Sequence, residues 1–119
     1  MQDYRKLRVW RKAHELALSA RRTAGRFPRT GYASLKNQMT TSAESIPFNI
    51  VEGCGASSSR ELARFLEISI KSTLELEYQL KLATDYGVIK EAEGQALRGE
   101  VVDTRRMLCG LRKRVLGSA

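Results

Sequence analysis

Apolar residues recur at three- and four-residue steps along almost the whole chain, the period of helices that bury one face. From about Leu7 to Arg26 the stripe is Val9, Trp10, Ala13, Leu16, Ala17, Ala20 and then Phe27, with Arg8, Lys12, Arg22 and Arg26 on the opposite side. Gly25 weakens the last turn and Pro28 cannot continue it, so "GRFPRTGY" ends this first helix. A second stripe, Leu35, Met39, Ala43, Ile46 and Ile50, starts near Ser34.

Pro47 interrupts that second stripe within "SIPFNIVEGCG". A proline inside a helix removes one backbone hydrogen bond and crowds the carbonyl four residues back, at a cost of ~3 kcal/mol when nothing offsets it. If the chain broke there, the stripe beyond it would fall out of phase. Ile46 and Ile50 instead continue the four-residue step from Met39 and Ala43. The spacing therefore predicts one proline-kinked helix running to Val51 or Glu52, with Gly53 as a left-handed C-terminal cap.

Ser58 followed by Glu61 reads as a capping box, with Ser58 taking an amide and Glu61 reaching back. The helix it opens carries a seam of Leu62, Leu66, Ser69, Thr73, Leu76, Leu80 and Ala83. A neighbouring seam adds Phe65, Ile68, Ser72, Leu82 and Tyr86, and Gly87 ends the run. Its length is about 28 residues, or roughly 42 Å at helical rise. A fourth helix spans about Lys90 to Leu116 on Leu97, Val101, Thr104, Leu108, Leu111 and Val115. Four helices, short connections and no strand signal predict an all-α, antiparallel up-and-down four-helix bundle, with residues 1–119 forming a single domain.

Composition adds a charge pattern. The chain of 119 residues carries a net charge of +8. Residues 1–29 hold +7 and residues 105–119 hold +5, while residues 30–104 hold −4. Positive charge gathered at the two ends suits a polyanion, nucleic acid before anionic membrane; the alternative is a set of solvated faces that keep the protein soluble. No apolar run approaches the roughly 18 residues of a membrane span, and "MQDYRKLRVWRK" lacks the apolar core of a secretory signal. The two cysteines, Cys54 and Cys109, have no metal-ligand spacing. They read as free thiols of a cytoplasmic protein.

Five stretches together resemble the 23S ribosomal RNA intervening-sequence protein family, also described as the four-helix-bundle protein family. In order they are "LRVWRKAHELAL" (7–18), "FPRTGYASLKNQM" (27–39), "SIPFNIVEGCG" (45–55), "RELARFLEISIKSTLELEYQL" (60–80) and "MLCGLRK" (107–113). A typical member has glycine before Ser72, where this chain has Lys71. The resemblance implies a bundle that assembles with itself into five-fold rings, a homopentamer. Some members are encoded within insertions in ribosomal RNA genes. The family is similar to the accessory protein of diversity-generating retroelements, a basic pentamer implicated in binding a reverse transcriptase and nucleic acid. None of this implies catalysis or a cofactor.

Candidate chemistry is sparse. Asn49 and Glu52 end the second helix, and Ser72 and Glu75 lie three apart on the third, so an antiparallel pairing brings them together. A carboxylate metal site would need Glu-x-x-His motifs, and the one histidine, His14, follows no such spacing. A hydrogen-bonded structural cluster that fixes helix register and satisfies carbonyls freed by Pro47 is the expected role. Cys54 follows a helix C-terminus, which raises a thiol pKa, and nothing places His14 beside it. Walker and Rossmann spacings are absent. Trp10 reads as a core or interface residue, and Tyr32 and Tyr78 as packing residues with hydroxyls at the surface.

The remaining candidates are basic. Arg5, Lys6, Arg8, Arg11 and Lys12 open the first helix, and Arg112, Lys113 and Arg114 close the fourth. In an up-and-down bundle these lie at the same end and are expected to merge into one nucleic-acid-binding patch. No base-edge readers are evident, so weak sequence preference is expected. The leading reading is a non-catalytic oligomer that binds RNA or DNA electrostatically. The alternative is a structural or protein-interaction ring, for example an adaptor for a reverse transcriptase.

Overall fold

Each of the four stripes forms one helix in the computed structural model, which describes residues 2–117. They are α1 (Arg8–Gly25), α2 (Ala33–Cys54), α3 (Ser59–Asp85) and α4 (Glu91–Gly117), and no strand occurs among the described residues. A short 3-10 turn, Tyr4–Lys6, precedes α1 and was not legible in the periodicity. The Asp3 side chain caps it by accepting from the Arg5 amide.

Consecutive helices pack against one another, most extensively α2 on α3 and least α1 on α4. The result is an elongated bundle of 47 × 21 × 20 Å, as long as its 27-residue helices require. Its core is Met39, Ile46 and Ile50 of α2, Leu66, Leu76 and Leu80 of α3, and Val101 and Leu108 of α4, all fully buried. Val9, Ala13, Leu16 and Ala20 close it from α1. The α3 and α4 seams also bury polar Ser69, Thr73 and Thr104. Each hydroxyl donates to a carbonyl: Ser69 to Ile46 across the α2/α3 interface, Thr73 to Ile70, and Thr104 to Glu100.

The helix runs through Pro47 without interruption, as the unbroken phase of the stripe requires. Gly53, however, does not cap α2 in the left-handed conformation. It stays helical, α2 extends to Cys54, and among the described residues only Gly31 and Gly87 have positive φ. The glycine serves close approach: a Cβ there would lie 2.8 Å from Leu62 Cδ1 and 3.0 Å from Phe65 Cβ. Gly87, with φ of 80°, does end its helix, as the Val88 amide donates to Ala83 O and the Gly87 amide to Thr84 O.

Half of the expected capping box forms. Ser58 Oγ accepts from the Glu61 amide at 3.2 Å. The Glu61 carboxylate turns forward to Arg64, at 2.6 Å, instead of reaching back. Of the second α3 seam, Ser72 is buried, Phe65, Ile68 and Leu82 are half-buried, and Tyr86 is exposed. The exposed apolar side chains of α3 are Leu74 and Tyr78, so Tyr78 is no packing residue within the monomer.

Candidate nucleic-acid interface

The end of the bundle that holds the start of α1 also holds the end of α2, the start of α3 and the end of α4. Gln2 N donates to Cys54 O at 2.9 Å, and Arg112 Nε donates to Ala63 O at 3.2 Å. Both sequence-predicted basic clusters therefore sit at one end. They do not share one groove.

Because α1 and α4 pack most loosely, a groove of about 540 Å³ runs between them. It is lined by Arg8, Arg11, Lys12 and Glu15 of α1, and by Asp103, Arg106 and Met107 of α4. Arg8, Arg11 and Arg106 have no carboxylate within ion-pair distance among the described residues. Lys12 is anchored to Glu100 at 2.6 Å. Four cations against two acids leave the groove net positive, and the stems of the long side chains wall it.

The other predicted cations are placed differently. Arg5 folds back on Asp3, Nε to Oδ1 at 3.0 Å. That hydrogen bond lowers the Asp3 carboxyl below its ordinary range, so the pair offers little net charge to a ligand. Lys6 is exposed beside it. Arg112 turns toward α3, where its guanidinium meets Ala63 O and lies 3.9 Å from Glu67. Lys113 and Arg114 are exposed in the last turns of α4. The groove residue absent from the sequence-predicted candidates, although counted in the basic segment 105–119, is Arg106. Its neighbour Arg105 pairs with Glu77 of α3 at 2.8 Å, whereas Arg106, one helical step of about 100° further round, faces α1.

The polar cluster centres on Ser45. Ser72 Oγ donates to Ser45 Oγ at 2.8 Å, and Asn49 Nδ2 donates to Ser45 O at 2.8 Å and to Ser45 Oγ at 3.0 Å. With the Ser69 bond to Ile46 O, these contacts serve the carbonyls just before Pro47. Glu75 lines the shallow groove outside, with Ser42, Ser45, Ser72 and Gln79, while Glu52 is exposed and joins no bond of the cluster. Gln79 Nε2 donates to Ser42 Oγ at 3.0 Å, and its buried Oε1 meets no donor among the described residues.

The remaining chemistry-bearing residues lie apart. Cys54 and Cys109 are free, one buried and one exposed. Burial first, and then the Asp3 charge, raises the Cys54 thiol above its ordinary pKa. His14 is exposed and stacks on Trp10, ring centroids 5.2 Å apart, and Tyr4 meets the same indole edge-on at 4.8 Å. Among the described residues no three His, Cys, Asp or Glu side chains gather in a way that could hold a metal ion. No helix there is long and apolar enough to cross a membrane.

The fold has a solved counterpart: a protein of unknown function from the S23 ribosomal protein family of Bacteroides thetaiotaomicron. It superposes with a TM-score of 0.83 over 88% of this chain and 98% of its own, at 22% identity. No curated protein matches the chain. The model of the 23S rRNA-intervening sequence proteins matches residues 5–110, from the turn before α1 nearly to the end of α4, and the chain belongs to that family.

Proposed function

We propose that this chain is a non-catalytic, cytoplasmic homo-oligomer, most simply a pentamer, that binds nucleic acid electrostatically through the α1/α4 groove. The observation that carries this reading is the gathering of Arg8, Arg11 and Arg106 in one groove with no carboxylate paired to them among the described residues. Holding like charges together disfavours the free protein, and a phosphate backbone relieves that repulsion while releasing its counterions. Lys6, Lys113 and Arg114 extend the positive field at the same end. Groove side chains that meet phosphates carry no base code, so sequence preference is weak.

The test is electrophoretic retardation of RNA and of DNA across a salt series. Binding at ~50 mM salt should fall log-linearly as salt rises. Arg8, Arg11 and Arg106 replaced together by Gln should weaken it and flatten the slope by up to about 3, near one for each phosphate no longer neutralised. The same change at Arg112, Lys113 and Arg114 should weaken binding less, since Arg112 is already engaged by α3. Absence of any retardation at low salt would leave the interaction ring as the better reading.

A further inference from the structure

The apolar surface outside the core is confined to a few places. One is a groove of about 410 Å³ between α1 and α2, walled by Trp10, Leu18, Pro47, Phe48 and Val51. Leu18 is 46% exposed there and Phe48 66%. Another is a ridge on the outer side of α3, where Leu74 and Tyr78, one turn apart, are 54% and 62% exposed. Large apolar side chains left mostly in water and clustered on one helix face mark a contact surface.

Charge tells what covers each. On α2, Phe48 is flanked one turn before and one turn after by Glu44 and Glu52, carboxylates about 12 Å apart along the helix. On α3, the Leu74–Tyr78 pair is flanked three residues before and three after by Lys71 and Lys81, ammonium groups about 15 Å apart along the helix. Glu52 and Lys71 have no ion-pair partner among the described residues, and the partners of Glu44 and Lys81 are exposed surface pairs with Arg21 and Asp85. Acid–apolar–acid along α2, with Arg21 of α1 beside Glu44 in the groove, thus complements base–apolar–base along α3. One side of the 47 × 21 Å rod offers roughly 1,000 Å², enough for the ~800 Å² per partner of a stable interface.

We infer that the α3 ridge of one copy seats in the α1/α2 groove of the next, with Tyr78 and Leu74 against Phe48 and Pro47, and Lys71 and Lys81 against Glu52 and Glu44. Two different faces meet, so the contact is heterologous and each copy keeps one groove and one ridge for its two neighbours, as a closed ring requires. The α1/α4 groove is not used and stays open to solvent. This rests on the homo-oligomer of the proposed function and names its interface; it does not depend on nucleic-acid binding.

Subunit mixing tests it. Phe48→Glu and Tyr78→Glu change exposed residues, so both variants should keep wild-type helical circular dichroism. By light scattering each alone should be monomeric, and an equimolar mixture should form a heterodimer, because one intact ridge meets one intact groove. As a second arm, Lys71→Glu should weaken assembly on the order of tenfold or more, and Glu52→Lys in the same chain should restore it. Four results would overturn the inference. Wild-type protein that is monomeric at every concentration removes the assembly itself, leaving the RNA measurements to judge the basic groove separately. An oligomer unaffected by Phe48→Glu places the interface elsewhere. Loss on Phe48→Glu but not on Tyr78→Glu points to groove against groove. A charge reversal without rescue removes the rim pairing.

Discussion

Gly53 and Cys54 adjoin at the end of α2, and their environments set opposite expectations for substitution and for chemistry. Gly53→Ala would drive a methyl group into Leu62 and Phe65, with the Leu62 carbonyl 3.3 Å away. Leu62 Cδ1 can rotate aside, but Phe65 Cβ and the Leu62 carbonyl are fixed to the α3 backbone, so α2 and α3 would have to move apart by a few tenths of an ångström along their most extensive contact. A loss of about 1–3 kcal/mol in denaturant unfolding is expected. Gly99→Ala is the control: nothing lies within 4 Å of its added Cβ, it sits inside α4, and a gain of about 0.5–1 kcal/mol is expected from helix propensity. For the thiols, the raised Cys54 pKa means less thiolate at a given pH, and 2% exposure blocks the reagent as well. Native protein should therefore titrate one fast thiol, Cys109, and denatured protein two. Two fast thiols in the native state would show that the end of α2 opens readily.

At the scale of the element, α2 is the unusual helix. Pro47 removes the amide that would serve Ala43, at a cost of ~3 kcal/mol in an isolated helix. The helix persists because Ile46 and Ile50, either side of the proline, are wholly buried in the core; the Asn49 bond to Ser45 O and the Ser69 bond to Ile46 O hold this turn together and to α3, without replacing the bond lost at Ala43. Pro47→Ala should leave far-UV circular dichroism unchanged and should not lower the melting temperature. Lost helical signal would mean that the proline shapes a turn the bundle needs. This continuity was legible in the sequence, since a buried stripe that keeps its phase cannot accommodate a break. The fate of Gly53 was not. A glycine after an apolar stripe fits a left-handed cap and a close helix crossing equally well, and only the distance to α3 separates them.

Across the whole molecule, one basic end and two complementary apolar faces point to an assembly that presents several cationic grooves at once. Multivalent engagement raises avidity steeply with the length of the bound strand, so longer RNA should be retarded at lower protein concentration than short RNA of the same composition. Phe48→Glu, which leaves every groove cation in place, should reduce that length dependence more than it reduces binding of a short strand. An unchanged length dependence would separate the grooves from the assembly.

Periodicity and turn chemistry by themselves determined the helix number, the bundle and most of the core, because burying a stripe of period 3.6 is a local constraint repeated along each element. The charged ends were equally plain, since charge is a property of composition. Tertiary structure alone decided which cations share a groove. Arg105 and Arg106 are adjacent in sequence, yet one is engaged by Glu77 of α3 and the other faces α1. That choice depends on how α4 is rotated about its axis, and Val101, Thr104, Leu108 and Leu111 set that rotation by packing into a core built from the other three helices.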